Sequence, residues 1–197
     1  PAYLHHTANV AQAVKRILDS KTFDNGTSCA SEQSIVTTRA MEGAVSEELR
    51  RQGAYLLSDE EHKKLSKFIL RANGTMNPAI VCKSVETAAK LAGLDRVPPS
   101  ARALVAREPG GGPGYPYSSE KLGLILAYYV EQDEEAVLRR CVEILEWEGA
   151  GHTFSIHAED EAVVKRFAQA VPASRVLVNT PSALGGIGAT TCLFPAL

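Results

Sequence analysis

The chain has 197 residues, 45% of them hydrophobic and 22% charged, which suffices for one substantial core and makes one domain the default. Lys and Arg number 21 against 23 Asp and Glu, a formal charge of −2, so the basic excess of a nucleic-acid binder is missing. The longest apolar stretch, Leu122–Val130, is nine residues interrupted by Gly123, well short of a membrane span.

No basic-then-apolar leader is visible, and the four cysteines, Cys29, Cys82, Cys141 and Cys192, form no C-x-x-C pair. They are too sparse for a disulfide scaffold. The expectation is free thiols in a reducing cytoplasm, no zinc ribbon and no metal site. The sequons at Asn25 and Asn73 then read as coincidence.

In chain order, Val10, Val14, Ile17 and Leu18 share a helical face, with Thr7 as the expected cap. Residues 22–28, TFDNGTS, are turn-rich. Ser34–Thr38 suits a strand. Met41, Ala44, Val45 and Leu49 mark a second helix. Ser58 with Glu61 predicts a capping box, and Leu65, Phe68 and Ile69 give that helix its apolar face. Asn73–Pro78 reads as a turn and Ala79–Cys82 as a short strand. Ser84–Leu91 reads as a helix stopped at Gly93. Ala103–Ala106 is a buried-strand candidate. Pro109–Pro116, PGGGPGYP, can only be a loop. Leu122–Val130 is the best strand and Asp133–Trp147 the best helix, broken at Gly149–Gly151. A strand at Thr153–His157, a helix at Asp160–Ala170, a strand at Arg175–Asn179 and a Gly-rich tail at Leu184–Thr191 follow. Alternating strands and helices predict an α/β domain: a three-layer fold with a mostly parallel sheet and helices on both faces.

Cys29 follows a polar, glycine-containing turn, where a thiol and nearby backbone N–H groups can face a cleft. It reads either as a nucleophile beside an oxyanion-holding N–H or as a small buried hydrophobe. Cys82, Cys141 and Cys192 sit in apolar settings and read as packing residues. His152 follows Gly149-Ala150-Gly151 and precedes a strand. It reads either as a proton carrier or as a hydrogen-bonded structural histidine. His157 is an odd number of residues away and would face the opposite side of that strand, against a shared metal. His5, His6 and His62 are assigned to solvent. Gly110–Gly114 and Gly185–Gly188 match neither the P-loop nor the G-x-G-x-x-G pattern, so no dinucleotide fingerprint is present.

FDNGTSCASEQ, residues 23–33, resembles the catalytic-cysteine segment of the CoA-acylating aldehyde dehydrogenases. These include acetaldehyde and propionaldehyde dehydrogenases and the aldehyde half of bifunctional aldehyde–alcohol dehydrogenases. Three further segments resemble that family in order. They are Glu120-Lys121-Leu122 with Ile125-Leu126-Ala127, Glu148-Gly149-Ala150-Gly151-His152-Thr153, and SRVLVNTP (174–181) with LGGIGATT (184–191). Leu124 stands where the family usually has proline, and Cys192 where glycine or asparagine is usual.

The resemblance implies that Cys29 is the nucleophile of an NAD- or NADP-dependent enzyme. That enzyme would interconvert a short-chain aldehyde and acyl-CoA through a thiohemiacetal and a thioester. It implies that His152 assists the thiol chemistry and that Glu120 binds the nicotinamide ribose. It implies that residues 1–197 are the cysteine-bearing catalytic domain. An N-terminal Rossmann-like cofactor domain and a C-terminal oligomerisation arm would lie outside the chain. The partners implied are a small aldehyde, coenzyme A and further copies of the parent, with no nucleic acid or membrane. The setting implied is bacterial and cytoplasmic, with a microcompartment as an option. Two other readings stand beside it: a non-catalytic domain of a larger assembly, and a cofactor-free cysteine acyltransferase or thioesterase using Cys29 and His152.

Overall fold

The computed structural model describes residues 1–195, so Ala196 and Leu197 of the expected 1–197 domain lie outside the described residues. Seven strands form one sheet: β1 (Ala2–Leu4), β2 (Ser34–Thr38), β3 (Ala54–Leu56), β4 (Ala103–Arg107), β5 (Ile125–Glu131), β6 (Thr153–His157) and β7 (Arg175–Val178). Their order is β3-β4-β5-β2-β1-β6-β7, and every neighbouring pair is parallel. Six α-helices lie between them and a seventh follows β7: α1 (Val10–Thr22), α2 (Glu42–Arg51), α3 (Asp59–Ile69), α4 (Val85–Leu91), α5 (Glu134–Trp147), α6 (Glu161–Ala170) and α7 (Ser182–Gly186).

Alternation along each strand divides the core in two. Ala2, Leu4, Ile35, Val105 and Leu126 pack on one face against Val14, Ile17 and Leu18 of α1 and Val45 and Leu49 of α2. Tyr3, Val36, Leu104, Ala127 and Ile156 pack on the other face under α3, α4, α5 and α6. Tyr3 stacks on Phe167 at 4.6 Å between ring centroids. The three-layer expectation therefore holds, and all the strands are parallel. Among the described residues, no helix is long and apolar enough to cross a membrane.

The local signals worked where side chains had a clear job. Ser58 and Glu61 make the reciprocal capping box, and Asp133 and Asp160 cap α5 and α6. Three expectations fail. Asn9, not Thr7, caps α1, because the Thr7 hydroxyl is taken up by His5 and by the N–H groups of Glu159 and Asp160. Ala79–Cys82 is no strand. The Asn77 side chain caps the Ala79 N–H and Pro78 starts a single 3₁₀ turn, after which Cys82 turns left-handed at φ 59°. The Gly-rich stretch holds the short helix α7 rather than a plain tail.

His157 ends β6, is fully buried, and neither ring nitrogen has a partner among the described residues. Burial, with Arg16 adding to it, lowers the imidazole from 6.5 to about 4. The unfolded chain therefore binds this proton at a higher pH than the folded one. The group's contribution to stability is complete above about 6.5 and is lost as pH falls towards 4. Denaturant unfolding of His157→Gln should show a shallower decline across that window than the unsubstituted protein. Parallel decline of the two would contradict the assignment.

Candidate active site

Because every strand runs the same way, the residues preceding each strand collect on one edge of the sheet. Residues 29–33 precede β2, Glu120 precedes β5 and His152 precedes β6. These strands and β1 are contiguous, in the order β5-β2-β1-β6. The result is a pocket of about 230 Å³ whose walls include Cys29, Glu120 and His152, together with Glu32, Gln33 and Glu148. All three residues singled out in the sequence thus come together. The pocket opens at the amino ends of the strands, whereas ligands of open α/β sheets usually sit at the carboxyl ends.

The turn carrying Cys29 is built from backbone that few residues accept. Asp24 and Asn25 are left-handed at φ 47° and 51°, and the Thr27 hydroxyl closes on the Asp24 carbonyl at 2.7 Å. Gly26 follows at φ 76°, where a Cβ would lie 2.5 Å from the carbonyl oxygen of Gly123. Only glycine fits that approach. Ser31 N–H then donates to Ser28 O at 2.9 Å, which leaves Cys29 exposed on the crest of a turn. Behind it, a Cβ on Gly186 would come within 3.0 Å of Ala30 Cβ. Part of the Gly-rich motif therefore serves as a close backing for the cysteine turn.

Polar groups are buried under this turn. Glu32 Oε1 accepts the Ser182 N–H at 3.0 Å, and Ser20 Oγ accepts the neighbouring Ala183 N–H at 2.8 Å. Burial raises the Glu32 carboxyl to about 7. Lys21 and Lys121 are both fully buried. Burial, and after it the charge of Lys121, lowers Lys21 to about 7, while burial lowers Lys121 to about 8. Sequence reading missed both lysines as site components, although Glu32, Gln33 and Lys121 lie inside its motifs.

Glu120 is partly exposed at the rim. Its N–H donates to a Glu148 carboxylate oxygen, while its own carboxylate has no hydrogen-bond partner among the described residues. His152 is exposed, with Nδ1 3.1 Å from Thr153 Oγ1. Its carbonyl accepts the Ser174 N–H at 3.1 Å, and the flanking Gly149 and Gly151 adopt φ of 107° and 104°.

The other candidates divide. Cys141 is buried, as expected, and burial pushes its thiol up to about 12. Cys82 and Cys192 are exposed rather than packed, and both adopt left-handed backbone, at φ 59° and 57°. His6 faces solvent, but His5 is buried beside Glu134, and His62 is half-buried with Nε2 3.6 Å from Glu108 Oε1. Among the described residues, no group of three His, Cys, Asp or Glu side chains is gathered as metal ligands would be.

No family model matches the chain. The bifunctional aldehyde-alcohol dehydrogenase of Escherichia coli K12 is 37% identical over 191 residues, which is 95% of this chain and 21% of that protein. A probable aldehyde dehydrogenase from Listeria monocytogenes is 57% identical, with a TM-score of 0.97 over 100% of this chain and 43% of that one. An acetylating aldehyde dehydrogenase from Geobacillus thermoglucosidasius is 43% identical, with a TM-score of 0.95 over the same shares. The chain spans about a fifth of the length of the first curated relatives it matches. In sequence over 95% of its length and in fold throughout, the chain is a homologue of one segment of the aldehyde–alcohol and acylating aldehyde dehydrogenases.

Proposed function

We propose that this chain is the cysteine-bearing catalytic domain of a CoA-acylating aldehyde dehydrogenase, with Cys29 as nucleophile, His152 as proton carrier and Glu120 as cofactor contact. The observation that carries the reading is that these three residues, from separate segments of the chain, line one pocket. A structural cysteine would be expected inside the core, yet Cys29 stands exposed at the mouth of a pocket.

The chemistry follows from the groups present. Cys29 Sγ, as thiolate, attacks the aldehyde carbon and forms the C–S bond of a thiohemiacetal. The Cys29 backbone N–H faces the developing oxyanion. NAD or NADP, when bound, supplies a hydride acceptor. Loss of hydride from the former aldehyde carbon leaves a thioester on Cys29. Cys29 is then the leaving group as the acyl carbon passes to the thiol of coenzyme A, and His152 takes the proton of that thiol. The net change converts aldehyde, oxidised nicotinamide and CoA thiol into acyl-CoA, reduced nicotinamide and one proton.

The residues present fit these groups in part. Glu120 offers a carboxylate free to accept ribose hydroxyl hydrogen bonds. At about 230 Å³ the pocket suits the reacting end of a ligand, since sites that bury drug-sized ligands run to roughly 300–1,000 Å³. Exposed Cys29, Cys82 and Cys192 suit a reducing cytoplasm or a compartment within it. A homo-oligomeric parent accords with the family.

Two measurements test the proposal. In the folded protein, iodoacetamide should label Cys29 faster than the similarly exposed Cys82 and Cys192, and should leave Cys141 unlabelled. Equal rates at the three exposed thiols would remove the case for a primed nucleophile. In the full-length protein carrying this chain, aldehyde- and CoA-dependent reduction of NAD or NADP should vanish on Cys29→Ala and fall roughly a hundredfold on His152→Ala. Activity surviving Cys29→Ala would sink the assignment.

A further inference from the structure

The three residues 119–121 are held from three directions, while the Glu120 carboxylate has no hydrogen-bond partner among the described residues. From the cysteine segment, Gln33 Oε1 accepts the Lys121 N–H at 2.9 Å. From α1, Lys21 Nζ donates to the same oxygen at 3.5 Å and to the Lys121 carbonyl at 3.3 Å. From the end of α5, Trp147 Nε1 donates to Ser119 Oγ at 3.2 Å, and Glu148 accepts the Glu120 N–H. Lys121 closes the loop on itself, with Nζ donating to the carbonyls of Tyr117 at 2.6 Å and Ser119 at 2.7 Å.

This arrangement is costly if its only purpose is to fill space. Two lysine side chains are taken fully out of water, and the charge of Lys121 adds to burial in lowering Lys21. An apolar pair would pack the same volume without that penalty. What the lysines supply, and an apolar pair could not, is directional bonding to the carbonyls on either side of Glu120. What Gln33 supplies is a direct tie from that loop to the segment bearing Cys29. The Lys121 N–H needs an acceptor, which assigns the amide oxygen of Gln33 to that side.

We propose that Gln33 and Lys121 are positioning residues: the Gln33 side chain ties the Glu120 loop to the Cys29 segment through the Lys121 N–H, and the Lys121 ammonium fixes the shape of that loop. They keep the carboxylate that meets the cofactor in register with the thiol that meets the aldehyde. This rests on the roles proposed for Cys29 and Glu120 above. Neither Lys121 nor Gln33 takes part in a bond change. Each acts through the backbone of its neighbours.

The test uses the full-length protein carrying this chain, with Lys121→Met, Gln33→Met and the acceptor-retaining Gln33→Glu. Each Met variant loses two of these bonds, Lys121→Met those of Nζ and Gln33→Met those of Oε1, and should raise the KM for the nicotinamide cofactor roughly tenfold. The rate of Cys29 alkylation by iodoacetamide without cofactor should stay within about twofold of the unsubstituted protein, because the thiol turn itself is intact. Gln33→Glu should recover most of the cofactor KM. Should Lys121→Met fail to fold, Gln33→Met carries the same comparison in a side chain of similar size. Folded Met variants with an unchanged cofactor KM would overturn the positioning role. So would alkylation falling in step with cofactor affinity, which marks general loosening. An unsubstituted protein lacking CoA-dependent aldehyde oxidation would instead overturn the roles of Cys29 and Glu120, and the positioning role with them.

Discussion

Parallel pairing of β2 with β5 on one side and with β1 on the other brings the segments ahead of these strands to a single edge. Each strand is short and buried, so its register is fixed by the side chains it must hide on both faces. A shift of β5 by one residue would turn Leu126 and Tyr128 onto the face that buries Ala127 and Tyr129. It would also move Glu120 relative to Cys29. The placement of the site is therefore inherited from the packing of the core, and no separate force is needed to gather residues so distant in sequence.

Precision at the edge comes from polar groups. Glu32, Lys21 and Lys121 are buried beneath the pocket at a cost in desolvation. Partners answer most of this: the Ser182 N–H meets one Glu32 oxygen while the other has none among the described residues, two carbonyls meet Lys121, and a carbonyl and the Gln33 side-chain oxygen meet Lys21. Buried groups of this kind are weak sources of net stability. They are strong sources of geometry, since an unmatched donor or acceptor in that interior would be penalised. The interior below Cys29 thus trades stability for definition.

How much of this was readable follows from the length of each signal. Ser34–Thr38 and Thr153–His157 coincide with β2 and β6, and the capping serine and aspartates mark α3, α5 and α6. Ala2–Leu4 and Ala54–Leu56 went unread because three residues show no period, and only partners elsewhere in the chain make them strands. Cys29, Glu120 and His152 were legible because each lies within a recognisable motif ahead of a readable strand. Cys82 and Cys192 misled because apolar sequence neighbours do not fix whether a side chain is itself covered by the fold. Gln33, Lys21 and Lys121 could not be found by chemistry alone, since a polar residue gives no sign in sequence that its partner is a distant carbonyl.

The contrast between Cys29 and Cys141 shows what the cysteine turn achieves. Cys141 lies in the apolar stripe of α5, where burial keeps its proton on and bars reagents. A thiol that must first receive an aldehyde and then release an acyl group has to be reached twice, by different partners, so it cannot be buried in that way. It must also not wander, because a small displacement at a reacting centre costs rate steeply. The turn meets both demands with backbone rather than side chains. Gly26 lies against Gly123, Gly186 lies against Ala30, and the Ser28–Ser31 bond closes the crest. Glycine lets main chain approach main chain at Gly26 and lets the Ala30 methyl approach main chain at Gly186, so the thiol is exposed on a support with little room to move.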